Sequence, residues 1–339
     1  MAKNVIDGAA GGERPLVTVL GASGFIGSVV TAALAAEGVR VRAVARRPAP
    51  LPERNAGLVE VRTADLTVTD RLAEAADGAD AVINLCLCPG GWRASESPEG
   101  ERINVGVMRD LLAVLAERRK GTTAVAPVVV HAGAVSQVGI PPVDRPLDGT
   151  ETDEPVGIYA RQKLRAEQAL MAATRDGAVR GIGLRLPTVF GDAPAPVSDR
   201  GVVATMIRRA LAGEALTMWH DGSVARDLVY VHDVAAAVLA ALRHADALAG
   251  RHWLVGSGES VALGEAFAAV AEAVARHTGK PAVPVVSVQA PDHAPVTDFR
   301  DIVLDTSAFR AATGWQPRVP FRQALENTIA ALVAEGREH

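Results

Sequence analysis

Residues 17–27, Val-Thr-Val-Leu-Gly-Ala-Ser-Gly-Phe-Ile-Gly, constrain this chain more than any other stretch. Four apolar or β-branched residues predict a strand. A glycine-bearing turn follows, and an Ala-rich helical segment begins at once over 29–37. Each glycine has a physical task in a strand–turn–helix unit. Gly21 permits a tight turn, and Gly24 lets a pyrophosphate approach backbone at the helix N-terminus. Gly27 lets the helix lie close on the strand. The spacing is G-x-x-G-x-x-G, and a lone glycine pattern is also a common way to leave any strand. The strand before it, the helix after it and its early position favour a nucleotide site over a plain turn.

The 339 residues suffice for one large or two moderate domains with a sizeable core. A net charge of −4 offers no basic field for nucleic acid, and 4% aromatic content offers few base-stacking platforms. No apolar run approaches the ~20 residues that span a bilayer. Residues 1–15 lack an apolar signal core and are expected to be a disordered leader, which predicts a cytoplasmic protein. Cys86 and Cys88 are two apart at the end of an apolar run. Small buried hydrophobes are the expectation for them, against a disulfide or a metal site.

Strand and helix signals alternate through the first half. Strands are predicted over 39–45, 58–61, 79–87, 128–130 and 183–186, and helices over 70–76, 99–118 and 158–174. The run 79–87 is nearly continuous in apolar residues, as in a strand buried on both faces of a parallel sheet. The alternation implies a doubly wound α/β sheet whose ligands lie beyond the strands' carboxyl ends. In the second half, helices are predicted over 202–211, 234–242, 263–276 and 321–333. Short strands are predicted over 216–219 and 228–231, with Asp233 as a helix N-cap. No Gly/Ser linker separates the halves. The expected division is a dinucleotide-binding Rossmann domain over 16–190, with 225–245 contributing, and a smaller α/β substrate domain over 191–339. The cleft between them is the expected substrate site.

Tyr159 and Lys163 stand at i and i+4, on one face of the predicted helix. A phenol with a pKa of ~10 exchanges protons poorly at neutral pH, and a nearby cation is expected to lower that value. Such a tyrosine becomes a general acid or base, and the lysine can also reach ribose hydroxyls. His220-Asp221 and His232-Asp233 are metal-compatible types without ligand spacing, so no metal is expected.

Together the glycine motif, Asp65-Leu66, Asn104, Tyr159-x-x-x-Lys163, residues 184–191 (LRLPTVFG) and residues 226–234 (RDLVYVHDV) resemble the extended short-chain dehydrogenase/reductases, the nucleotide-sugar epimerase/dehydratase group. The resemblance runs from about residue 16 to 333. It implies a Rossmann domain, a smaller sugar-nucleotide domain and a homodimer held by a helical interface. Residues 42–48, 135–139, 206–214 and 216–222 are similar in texture to NDP-4-keto-6-deoxyhexose 4-ketoreductases of actinomycete antibiotic deoxysugar pathways.

The resemblance implies cofactor contacts from Gly21, Ser23, Gly24, Phe25, Ile26 and Gly27, from Asp65, Leu66 and Leu85, and from Tyr159, Lys163, Pro187 and Val189. Where a Rossmann second strand ends, an acid binds the ribose 2′-hydroxyl and an arginine accommodates a 2′-phosphate. Here Arg46-Arg47 stand at that point, with no acid before Glu53, so NADP(H) is expected over NAD.

The family's Ser or Thr, five residues before the loop glycine, falls on Ala134 if that glycine is Gly139. Either Ser136 takes the role through a shifted loop, or the role is absent, or His131 or a water supplies it. The loop lacks the Thr-Asp-Glu run of 4,6-dehydratases. Substrate contacts are expected from Arg226, against a structural Arg226–Asp227 pair, from Thr217 within the strand flanking the base, and from Trp92. The expected activity is NADPH-dependent reduction of the C4 ketone of a TDP-linked 4-keto-6-deoxy sugar. The alternatives are an epimerase or another ketoreductase of the same fold, and a non-catalytic NADP-binding protein.

Overall fold

The structure is a computed structural model. It describes residues 5–6, 14–52, 54–194, 197, 199, 201–219, 221–290 and 296–335, except the side chains of Trp92, Arg93 and Glu335. The strands in chain order are β1 (Leu16–Leu20), β2 (Arg40–Ala45), β3 (Val59–Thr63), β4 (Ala81–Asn84), β5 (Val128–Ala134) and β6 (Arg180–Leu186). After them come β7 (Thr188–Phe190), β8 (Leu216–Met218), β9 (Ala225–Tyr230), β10 (Arg251–Leu254), β11 (Ser260–Ala262) and β12 (Val285–Ser287). The helices are α1 (Phe25–Ala36), α2 (Thr69–Ala76), α3 (Pro98–Glu101), α4 (Val107–Arg119), α5 (Ile158–Arg175) and α6 (Val202–Leu211). They continue with α7 (Val231–Arg243), α8 (Ala245–Leu248), α9 (Leu263–Thr278), α10 (Ser307–Thr313) and α11 (Phe321–Glu335).

Seven strands form one parallel sheet in the order β10-β6-β5-β4-β1-β2-β3, a doubly wound Rossmann-like α/β arrangement. The central strands are buried because both faces are covered. Val17, Val19, Ile83 and Val130 face the layer of α1 and α7. Leu20, Val82 and Val129 face the layer of α2, α4 and α5. The order reverses at β1, whose neighbours are β2 and β4, and a crevice opens there at the carboxyl ends. Beyond the large sheet lie a three-stranded sheet, β11-β9-β7, and a two-stranded one, β12-β8.

Several expectations shift. The strand predicted over 79–87 ends at Asn84, whose side chain accepts the Cys86 N–H at 3.1 Å and turns the chain out of the sheet. The helix predicted over 99–118 is broken by a π-helical turn, Arg102–Gly106, between α3 and α4. Such turns often mark functional regions. Asp233 does not cap α7, which begins at Val231 after Tyr230. Its carboxylate instead accepts the N–H groups of Arg318 and Val319. Of the expected leader, Val5 and Ile6 are buried against the core, and residues 1–4 and 7–13 lie outside the described residues. Among the described residues no helix is long and apolar enough to cross a membrane.

Candidate active site

The glycine turn is sterically closed to side chains. Gly21 has φ +84°, and a Cβ there would stand 2.9 Å from the Leu85 backbone of the neighbouring strand exit. A Cβ on Gly27 would stand 2.3 Å from the Gly21 carbonyl oxygen, so α1 lies against its own turn. Gly24 is the N-cap of α1, and its N–H donates to the Gly21 carbonyl at 2.9 Å. The first turn of α1 has no acidic residue, which leaves its positive end uncompensated. The N–H groups of a helix's first turn have no partner within the helix. Phe25 and Ile26 therefore present donors beside half-buried Ser23, and the cradle fits a pyrophosphate.

At the end of β2, Arg46 and Arg47 are exposed, and Arg46 Nη1 pairs with Glu99 of α3 at 3.0 Å. The strand end itself contributes two guanidinium groups and no carboxylate; the Glu99 carboxylate reaches Arg46 from α3. Asp65 Oδ1 accepts the Thr67 N–H at 3.0 Å and the Thr67 hydroxyl at 2.8 Å. The two Thr67 bonds, backbone first, hold the Asp65 carboxyl below its usual range. Leu66 is buried and Leu85 half-buried. A cleft of about 670 Å³ between β3 and α2 includes Asp65 but not Tyr159. It lies at the sheet edge, away from the candidate chemistry.

Tyr159 and Lys163 lie on one face of α5, with Lys163 Nζ 5.9 Å from the Tyr159 ring centroid. Lys163 Nζ donates to the Ala132 carbonyl of β5 at 2.8 Å. The expected lowering of the tyrosine pKa is not found. Burial, and then the Cys88 thiol beside it, push the Tyr159 phenol up to about 12. Burial likewise pushes Lys163 down to about 8. Loss of hydration is the first cause of both shifts.

Ala134 ends β5 and supplies no hydroxyl; its N–H donates to Gln137 Oε1 at 2.8 Å. Ser136 Oγ is buried with no hydrogen-bond partner among the described residues, and so are both ring nitrogens of His131. Burial, and then the Lys163 charge, push His131 well below 6.5, so it is neutral. Pro187 and Val189 are half-buried at the β6–β7 step.

The two cysteines are free thiols, Cys88 buried and Cys86 partly so. Cys88 Sγ donates to the Gly91 carbonyl at 3.1 Å. Burial pushes the Cys86 thiol up to about 12. Cys88 N–H donates to Asn104 Oδ1, and Asn104 Nδ2 donates to Gln162 Oε1 at 2.8 Å, which ties the π turn to α5.

The expected substrate residues are committed elsewhere. The Arg226 guanidinium donates to the carbonyls of Ala225, Thr297, Asp298 and Arg300. It does not pair with Asp227, because adjacent strand residues face opposite sides. Asp227 instead accepts the N–H groups of Ser257 and Gly258. Thr217 Oγ1 accepts from Arg209 Nη1 at 2.9 Å. The Trp92 side chain and His220 lie outside the described residues. Asp221 accepts from Ser223, and His232 meets Asp192 at 3.2 Å.

Three buried polar residues, Gln137, Glu167 and Arg185, and the half-buried Asp153 were assigned no role from the sequence. Arg185 lies inside an apolar strand, and Glu167 stands four residues after Lys163; both were available signals. Burial works against the Arg185 charge, but its bonds to Asp153 and Glu167 more than offset this and raise its pKa.

Residues 17–256 match the family described as "NAD dependent epimerase/dehydratase family". The chain is 32% identical over 323 residues to a dTDP-6-deoxy-L-talose 4-dehydrogenase (NAD(P)(+)) of Kitasatospora kifunensis, covering 93% of this chain and 95% of that protein. It is 29% identical over 324 residues to a UDP-glucose 4-epimerase of Mycolicibacterium smegmatis, covering 93% and 97%. Among solved structures it is similar to MoeE5 in complex with UDP-glucuronic acid and NAD, with a TM-score of 0.76 and 26% identity, covering 94% of this chain and 99% of that one. The match over most of its length, on a fold with the glycine cradle and the Tyr–Lys helix in place, shows that this chain belongs to the NAD dependent epimerase/dehydratase family.

Proposed function

We propose that this protein uses NADPH to reduce the C4 ketone of a TDP-linked 4-keto-6-deoxyhexose, as a step in antibiotic deoxysugar biosynthesis. The observation that carries the reading is the end of β2, where Arg46 and Arg47 stand exposed and the strand has no carboxylate of its own; Glu99 of α3, which pairs with Arg46, would give way to the 2′-phosphate. Guanidinium groups suit a 2′-phosphate, and NADPH suits net reduction with cofactor exchange. The 4-dehydrogenase relative, with NAD(P)(+) in its name, supports the same chemistry.

The turn at Gly21, Gly24 and Gly27 would hold the pyrophosphate, and Arg46 and Arg47 the 2′-phosphate. Leu85, Pro187 and Val189 would line the remaining length, with Lys163 on the ribose. When bound, the nicotinamide supplies the hydride that reduces the ketone. Tyr159 gives its phenolic proton to the oxygen that becomes the C4 hydroxyl. Its raised pKa keeps that proton in place at neutral pH, as an acid in the reducing direction requires. Lys163 Nζ, fixed by the Ala132 carbonyl, stabilises the phenolate left behind. Ser136 Oγ, which has no other partner among the described residues, donates to the substrate oxygen. Arg226 and Thr217 support the substrate from the C-terminal lobe, and Trp92 covers the sugar. The working unit is a cytoplasmic homodimer.

The test is incubation with NADPH and a panel of TDP-4-keto-6-deoxy sugars, with NMR of the product. A new C4 carbinol proton with stoichiometric NADPH loss is expected. The match to a UDP-glucose 4-epimerase favours a second reading, epimerisation, which would interconvert C4 epimers without net NADPH loss. NADPH binding without turnover of any sugar would identify a non-catalytic binding protein.

A further inference from the structure

A chain of buried charges behind Tyr159 and Lys163 has no part in the chemistry so far. Arg185, 1% exposed at the end of β6, donates Nη1 and Nη2 to the two Asp153 carboxylate oxygens at 2.6 and 2.7 Å. It donates Nε and Nη2 to Glu167 at 3.1 and 2.6 Å. Glu167 Oε2 also accepts Gln137 Nε2 at 3.0 Å, and Gln137 Oε1 accepts the Ala134 N–H at 2.8 Å. The backbone leaves room for this chain. A Cβ on Gly133 would stand 2.7 Å from Gln137 Oε1, and one on Gly183 would stand 3.1 Å from Glu167 Oε2.

Burying Arg185 and Glu167, with Asp153 half-buried beside them, is a poor route to stability, since desolvation consumes most of the Coulombic gain. Such a chain does fix several segments relative to one another. Asp153 lies in the lead-in to α5, six residues before Tyr159, and the next residue's N–H donates to the Val138 carbonyl at 3.1 Å. Glu167 is one helical turn beyond Lys163, and Gln137 adjoins Ser136. The Arg185 guanidinium thus joins the lead-in to α5 directly and, through Glu167 and Gln137, ties together the two segments that bear the candidate catalytic groups. We propose that Arg185, Glu167 and Gln137 are positioning residues that hold Ser136 in register with Tyr159 and Lys163. The proposal rests on the ketoreductase reading for its activity readout and on geometry alone for its structural one.

The test uses two variants of the full chain. Gln137→Leu cuts the end of the chain and leaves Arg185 with both carboxylates. The paired exchange Gln137→Glu with Glu167→Gln keeps the chain continuous from Ala134 to Arg185 through the oxygen that accepts Arg185 Nη2, at the loss of the Nε bond, with its net charge unchanged. The Gln137→Leu variant should lose about 100-fold in kcat, with KM and NADPH affinity within about threefold of the original, as expected for a displaced catalytic group. The paired exchange should recover at least about tenfold of that loss, on the same positional argument. Deuterium exchange of the amides over 134–139 should rise in the first variant and fall back in the second. Should Gln137→Leu not fold, Gln137→Met makes the same cut. A kcat within about threefold of the original in the cut variant overturns the proposal, as does a paired exchange no better than the cut. If the unaltered enzyme turns over no keto sugar, the ketoreductase reading fails. Deuterium exchange then decides the positioning proposal alone, and unchanged protection over 134–139 overturns it.

Discussion

The large sheet and the C-terminal lobe solve different problems. In the sheet, β1 and β4 are buried along their whole lengths, and Lys163, on the covering helix α5, is fixed by the Ala132 carbonyl of β5. In the lobe, the strands are short and partly exposed, and Trp219, Val288, Val296 and Phe299 stay in contact with solvent. Its candidate ligand groups, Arg226 and Thr217, already bind their own neighbours. The contrast teaches that the proposed chemistry would rest on rigid, desolvated elements. The proposed substrate contacts would rest on short strands whose polar groups must exchange one set of partners for another.

The sharpest way to break that comparison is Tyr159→Phe. Turnover should fall about 1,000-fold, within the range for a lost general acid, while NADPH affinity stays within about twofold. A variant that keeps its turnover removes the chemistry from the sheet side altogether.

Lys163 gives the next largest effect. Its pKa is down to about 8 from 10.5 because it is buried. Between those values the unfolded chain binds more protons than the folded one, so stability rises with pH across that window. Below pH 8 the full penalty is present, at most about 3 kcal/mol. Denaturant unfolding should show the rise between pH 8 and 9, above which the raised Cys86 thiol works against it, and Lys163→Met should abolish it. Equal pH slopes in the two proteins would mean that the ammonium is not desolvated.

Replacing Arg46 and Arg47 together by alanine should reduce the NADPH-over-NADH preference by about 100-fold, the value of two charge-assisted bonds at ~1.5 kcal/mol each. Titration of both dinucleotides measures it, and an unchanged ratio would place the 2′-phosphate elsewhere. The smallest effect sharpens the lobe side. Arg226→Ala should destabilise the protein by about 1–2 kcal/mol, since it strips partners from the turn at 297–300. It should also raise KM more than it lowers kcat. A drop in kcat alone would make Arg226 part of the chemistry.

The glycine turn, the parallel strands and the Tyr–Lys pair were legible because each is a local pattern with a local cause. The short strands β10, β11 and β12 were not, because three or four residues acquire strand character only from distant partners. Asp233 shows the same limit. Three residues into α7, it reads as a cap from its neighbours alone, yet its carboxylate is claimed by Arg318 and Val319. The chain through Arg185 was half legible. An arginine inside an apolar strand requires a buried carboxylate, but no spacing rule says that Glu167, Gln137 and Asp153 share the task. The pKa of Tyr159 depends on how completely water is excluded, which only the packed structure reveals.

The path of the chain has a consequence for how the protein is made. α7 covers α1, and β10 completes the edge beside β6, yet both follow the excursion through β7, α6, β8 and β9. On the ribosome, α1 emerges nearly two hundred residues before α7, an interval of about 10–40 s at 5–20 residues per second. Through that interval the face of α1 that meets α7 has no permanent cover, and nascent-chain chaperones have their longest opportunity there. The dinucleotide fold therefore closes only after the excursion through β7, α6, β8 and β9 is made, although its glycine signature precedes that excursion by more than 150 residues.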